Sequence, residues 1–209
     1  MRTAAVLVLA LAGWHAAPTA AVPAQPAAEQ EAPPVAIVHD IASLNDGADA
    51  TGRIAVNVAA GDNNQQANAG VLAVGGTALG TGSVAQFLAE SPARGGTRNA
   101  IIGGDAFAGA DGMIAVNVVA GSDNQEANLA VIAMGFEGQA VTDATLSQAR
   151  ASQQPTGGPE GAVYPESATG ISTGAFQGSS GLVQVNLIGG ERNSSANVFA
   201  LTVTAGANP

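Results

Sequence analysis

The chain has 209 residues, room for one ordinary domain or a short array of repeats, and a formal charge of −10. It contains no Cys and no Lys, so disulfides, thiolate chemistry and a basic nucleic-acid footprint are all excluded. Aromatics are only 3% of the residues while Gly alone contributes 28, so the chain buries small surfaces many times over and not a few large ones.

Residues 1–24 read as a secretory signal peptide. Arg2 supplies the early positive charge, an apolar run follows, and small residues between Ala20 and Ala24 offer the cleavage site. The run is too short to span a bilayer, so no membrane span is expected once it is removed, and the mature chain is expected outside the cell after passing the periplasm. Residues 25–40 are rich in Ala, Pro, Gln and Glu and read as a flexible leader, with residues 35–38 a possible short strand.

The first repeat, residues 41–74, holds the organising stretch. Residues 53–59 alternate strictly, with Ile54, Val56 and Val58 on one face and Ala55, Asn57 and Ala59 on the other. Period two is the mark of a half-buried strand. Residues 60–63 form a turn, Gly61 and its Asn/Asp neighbours supplying positive φ, and the chain then returns as a second strand. Residues 75–100 read as a linker in which residues 83–91 have the pattern of one or two helical turns, capped by Ser83 and stopped by Pro92. The second repeat is residues 101–134. Residues 135–170 are a second linker, helix-like at 143–152 and loop at 153–165. The third repeat is residues 171–204, and residues 205–209 are a tail. Phe107 and Phe176 lie five residues before Gly112 and Gly181, so each repeat is expected to include a short strand ahead of the shared core. Repeat one lacks this Phe, with Leu44 its nearest substitute.

Aligned on their first Asn, the copies are 60 and 69 residues apart. Asn57, Asn117 and Asn186 correspond, as do Asn64, Asn124 and Asn193, and Asn68, Asn128 and Asn197. Gly61, Gly121 and Gly190 occupy one shared turn position. The apolar columns are Ile54/Ile114/Val183, Val56/Val116/Val185 and Val58/Val118/Leu187. Short repeats cannot each bury an apolar face alone, so neighbours must stack. The expected fold is all-β: three strand-turn-strand repeats stacked as a β-solenoid or cross-β array, joined by flexible linkers. Stacked in register, the Asn columns become amide ladders and the apolar columns dry seams. Charges avoid like neighbours, as in Asp62/Ser122/Glu191 and Asn63/Asp123/Arg192.

Residues 52–68, echoed at 112–128 and 181–197, resemble the repeat of the Fap-type functional amyloid subunits of bacterial biofilms. The resemblance implies export and polymerisation outside the cell, with the chain itself or related fibre subunits as partners, and an export machinery. It also implies a Cys-x-Cys pair near the C-terminus. This chain has no Cys and is a variant in that respect.

No acid, base or nucleophile set repeats. After processing, His39 is the only His left, and its neighbour Asp40 has no nucleophile context. The stretches around Asp62 and Ser122 fit turns and match neither the EF-hand nor the calcium nonapeptide spacing. No enzyme activity, catalytic residue, metal or cofactor is expected. The function expected is an exported structural subunit or nucleator of amyloid-like fibres. The alternative is a soluble β-solenoid surface adhesin or an accessory protein of fibre export.

Overall fold

A computed structural model describes residues 38–89, 96–150 and 168–205. They form nine strands: β1 (Val38–Leu44), β2 (Thr51–Ala60), β3 (Gln65–Leu88), β4 (Gly96–Ile102), β5 (Asp111–Ala120), β6 (Gln125–Arg150), β7 (Ala168–Ile171), β8 (Ser180–Gly189) and β9 (Ser194–Thr204). Among the described residues there is no helix.

Every third strand pairs, giving three parallel sheets of order β1-β4-β7, β2-β5-β8 and β3-β6-β9. The register is fixed by sequence identity. Asn57 opposes Asn117 and Asn117 opposes Asn186, and Asn68, Asn128 and Asn197 align in the same way. Because side chains alternate along a strand, a slip of one residue would throw Ile114, Val116 and Val118 of β5 onto the amide face, and this locks the pairing.

The β2-β5-β8 sheet lies between the other two. Its Ile54/Val56/Val58 face and its equivalents pack on the β1-β4-β7 sheet through Ala42, Ala100 and Ile102, with Phe107 closing one end. Its opposite face carries the amides toward the start of β3, β6 and β9. The turn glycines hold the strands at this spacing. A Cβ at Gly61 would stand under 3.0 Å from Gly121 O, and one at Gly121 equally close to Gly190 O, nearer than real Cβ atoms approach. Their φ values, +103°, +123° and +138°, also belong to Gly. The same turns place Asn63, Asp123 and Arg192 at φ between 54° and 60°.

Several expectations need correction. The helical turns expected at 83–91 and 143–152 are strand as far as Leu88 and Arg150. Residues 77–88 alternate between exposed and covered with period two, and pairing of β3 with β6 overrides a local pattern compatible with helix. Much of the two stretches read as linkers, 75–100 and 135–170, is therefore sheet. Among the described residues the early strand spans Val38–Leu44, within and beyond the end of the segment read as leader, and residues 35–37 of the short strand expected there lie outside the described residues. Leu44 packs against the core that holds Phe107 but pairs with Ile102 in the register, and it is Gly47 that faces the Phe107 ring, where a Cβ would fall 2.9 Å from Cε1. The signal peptide, the loop at 153–165 and the end of the tail lie outside the described residues.

The long strands have a further property. β3 bends at Gly75 and Gly76, where its register with β6 shifts, and its second half returns over its first. Gln65 Nε2 donates to Phe87 O at 2.6 Å, and Gln86 Nε2 donates to Gln65 O at 3.0 Å. Residues 77–88 and 139–150 thus form an outer arm layer.

Candidate self-assembly surface

The two inner amide columns lie between the β2-β5-β8 sheet and the first halves of the long strands, and they interlock. Asn117 Nδ2 donates to Asn57 Oδ1, and Asn186 Nδ2 to Asn117 Oδ1, both at 2.9 Å. In the second column Asn128 Nδ2 donates to Asn68 Oδ1 at 2.8 Å and Asn197 Nδ2 to Asn128 Oδ1 at 2.9 Å. Cross-links join the columns within each level: Asn68 Nδ2 to Asn57 Oδ1, Asn128 Nδ2 to Asn117 Oδ1 and Asn197 Nδ2 to Asn186 Oδ1, at 2.8 to 3.1 Å. Each second-column amide also donates to a backbone carbonyl of the facing strand, Val56, Val116 or Val185. Asn117 and Asn128 are fully buried. Left unsatisfied, each would cost about 1–3 kcal/mol.

The third column sits at the turns and works differently. Asn64 Oδ1 accepts from the backbone N–H of Asn124 at 3.1 Å, while Asn64 Nδ2 donates to Gly121 O at 2.7 Å. Asn124 repeats both bonds one level on, to Asn193 N–H at 2.9 Å and Gly190 O at 2.9 Å. Each of these side chains therefore clamps the next turn. Asn193 occupies the same position at the last level and is exposed.

The apolar seam has the same gradation. Ile114, Val116 and Val118 are completely buried, Ile54, Val56, Val58, Val185 and Leu187 are half-buried, and Val183 is exposed. All donors between levels of the two inner columns point the same way, so the two ends of the stack differ. Asn57 and Asn68 form the amide edge at one end, and Asn186 and Asn197 form it at the other.

Two contributors escaped the sequence reading. Glu126 is fully buried between Gln66 and Ser195 in the register, and Gln66 Nε2 donates to its Oε2 at 2.6 Å. Burial pushes its carboxyl up from 4.5 to about 7, against the hydrogen bond from Gln66, which lowers it. Arg98, nearly buried on β4, pairs with Glu191, so the Glu191 carboxylate has a cation beside it that the turn columns alone did not reveal. Phe107 and Phe176 stack at a centroid distance of 5.2 Å and 18° between planes, which the shared Phe-to-Gly spacing did foreshadow.

Among the described residues no three His, Asp or Glu side chains come together to hold a metal ion, and no helix is long and apolar enough to cross a membrane. What the fold builds is backbone order: parallel sheets in identical register, amides over amides, aliphatics over aliphatics. That is the arrangement of an amyloid-type structural protein. The chain belongs to the functional amyloid protein FapB/FapC family, whose model matches residues 20–204. No solved structure matches the chain.

Proposed function

We propose that the chain is an exported structural subunit or nucleator that stacks head to tail into amyloid-like extracellular fibres of a biofilm matrix. In the fibre the three levels of each copy are three turns of a β-solenoid continued by the next copy. Asn57, Asn68, Asn117, Asn128, Asn186 and Asn197 make the inner ladders, Asn64, Asn124 and Asn193 clamp successive turns, and Ile54 to Val58 with their equivalents make the seam. Export through the periplasm by a dedicated machinery follows from the residues 1–24 pattern and from the family.

The observation that carries this reading is that both end levels bear the same Asn columns and turn glycines as the buried middle one, with an aliphatic seam beside them. Asn193 presents to a following copy the side chain that Asn124 uses to hold Asn193 itself. A monomeric solenoid adhesin would need polar caps at its ends, and the end levels here repeat the seam residues. The test is assembly of the purified chain from residue 25 onward, followed by a cross-β dye and electron microscopy. Unbranched fibres are expected, and a persistently monomeric chain at high concentration would overturn the reading.

A further inference from the structure

The two arms do not lie directly over their own levels. Gln86 Nε2 donates at 3.0 Å both to Gln65 O on β3 and to Glu126 O on β6, so the first arm straddles the seam between those strands. A Cβ at Gly82 would meet Leu129 and Val131 of β6 before Val71 of β3. The second arm is displaced in the same sense. Gln125 Nε2 donates to Ala149 O, Gln148 Nε2 donates to Ser195 O on β9, and Thr142 meets Thr202 Oγ1 at 3.1 Å. Gln148 Nε2 also donates to Gln86 Oε1 at 2.7 Å and ties the arms together.

Each arm is thus a strap over one seam, and β6 lies under both. Leu129 and Val131 on β6 are 0% exposed, whereas Val198, which replaces Leu129 in the register on β9, is 51% exposed. Ala196, Ala200 and Thr202 on the same face are exposed too. Among the described residues nothing straps the far side of β9. Among the described residues the second arm also has an unpaired edge there, because β6 pairs with β9 only as far as Gly135 and Thr204. An exposed strand edge beside an exposed apolar face is a template for strand addition.

We propose that the outer face of β9 and the free edge of residues 139–150 form a docking slot for one extended peptide strand with the chemistry of the arms. Ala78, Gly80, Gly82 and Val84 fill the first strap's inner face, and Ala140, Thr142, Ala144 and Leu146 the second's, so the occupant is uncharged on that face, with small residues over Val198 and Ala200. It carries a Gln where the arms carry Gln86 and Gln148, to bridge two backbone carbonyls. It lies parallel to the arm it extends. The slot is a property of the single chain. The stacking reading adds only where it recurs: with two arms among the described residues for three levels, an opening of two strand spacings, about 9.6 Å between arms, lies over each junction between copies. A strand bound there straps that junction.

The experiment uses the freshly desalted full chain and a fluorescent peptide with the sequence of residues 139–150, with a scrambled peptide as control. Anisotropy should show binding at least 10-fold tighter than the scramble, and replacing the peptide's tenth residue, the Gln that corresponds to Gln148, by Ala should weaken it about fivefold. Val198→Arg, at an exposed position, should abolish binding while leaving the far-ultraviolet spectrum unchanged. Hydrogen exchange on the unsubstituted chain should show new protection at amides of residues 139–150. Binding no better than the scramble, or protection confined to the open edges of β7 and β8, would overturn the proposal. Neither readout depends on whether the chain forms fibres.

Discussion

Two glycines at opposite ends of the chain test the direction of stacking. In the Gly52/Gly112/Gly181 column a Cβ points toward the preceding level: at Gly112 it would strike Gly52 O, at Gly181 Gly112 O, and at Gly52 it meets nothing within 4 Å. In the Gly61/Gly121/Gly190 column it points toward the following level, and at Gly190 it meets only Asn193 Nδ2, at 3.2 Å. Gly52→Ala therefore plugs only the first-level end, and Gly190→Ala only the third-level end. For a Cβ placed under 3.0 Å from a carbonyl oxygen to clear it, the strands must part by roughly an ångström. Bonds such as Gly190 N–H to Ala120 O, now 2.9 Å, would then be lost at the corresponding junction position. Two or three such bonds at ~1 kcal/mol each weaken the junction by about 2–3 kcal/mol, on the order of 100-fold. Within the monomer each Ala bears the strain of a positive φ, about 1–3 kcal/mol, and the Ala at 190 also a 3.2 Å contact with the flexible Asn193 amide. Gly178→Ala, at φ +71° with nothing within 4 Å, controls for that strain. Each plugged variant alone should stay monomeric, and Gly178→Ala should assemble. Mixed in equal amounts, the open third-level end of Gly52→Ala meets the open first-level end of Gly190→Ala, so sedimentation velocity should show dimers and nothing larger. Long fibres from either variant, or from the mixture, would refute head-to-tail stacking.

Replacing Asn57, Asn117 and Asn186 together by Asp puts like charges on adjacent strands about 4.8 Å apart, a repulsion of roughly 3 kcal/mol per neighbour at an effective dielectric near 20. Dye-detected growth at neutral pH should be lost, and normal growth would show that these side chains do not stack. The buried Glu126 makes the fold pH-dependent with a definite sign. Its folded pKa of about 7 lies above the ordinary 4.5, so the folded state holds the proton more tightly. Its stabilising effect is complete below 4.5, is lost as pH rises toward 7, and amounts to about 3 kcal/mol on the order-of-magnitude scale of 1.36 kcal/mol per unit. Urea midpoints should fall between pH 4.5 and 8 for the unsubstituted chain and much less for Glu126→Gln, and parallel profiles would contradict the assignment. Deleting residues 157–161 should leave assembly intact, since loop length costs little. Abolished growth would mean that this stretch is part of the ordered stack.

The parts legible in the sequence are those repeated three times. Period-two alternation around Asn57, Asn117 and Asn186 marks β2, β5 and β8, and the recurrent Gly61, Gly121 and Gly190 mark the turns that carry the chain from each of them into the neighbouring sheet. The arms were hidden for two reasons. β6 carries two more residues than β3 at the bend near Gly76 and Phe136, so Gln86 and Gln148 fall 62 residues apart and not 60. No third copy stood beside them to expose the pattern. The β1-β4-β7 sheet was faint because its strands, VHDIASL, GTRNAII and ATGI, share almost no residues and are aligned by the chain around them. Glu126 reads as a surface acid in one dimension. Only the stacking of its level between Gln66 and Ser195, with its side chain on the same inner face as Asn128, removes it from water.

The most direct measurement is fibre diffraction combined with mass per length on fibres of the mature chain. Parallel strands stacked along the fibre give reflections near 4.8 Å along the axis and about 10 Å across it. Three levels per copy then require one chain for every three spacings, about 14 Å of fibre. One chain per single 4.8 Å spacing would mean that each copy lies flat as one layer, and it would contradict the three-level stack on which the ladders, the seam and the straps all depend.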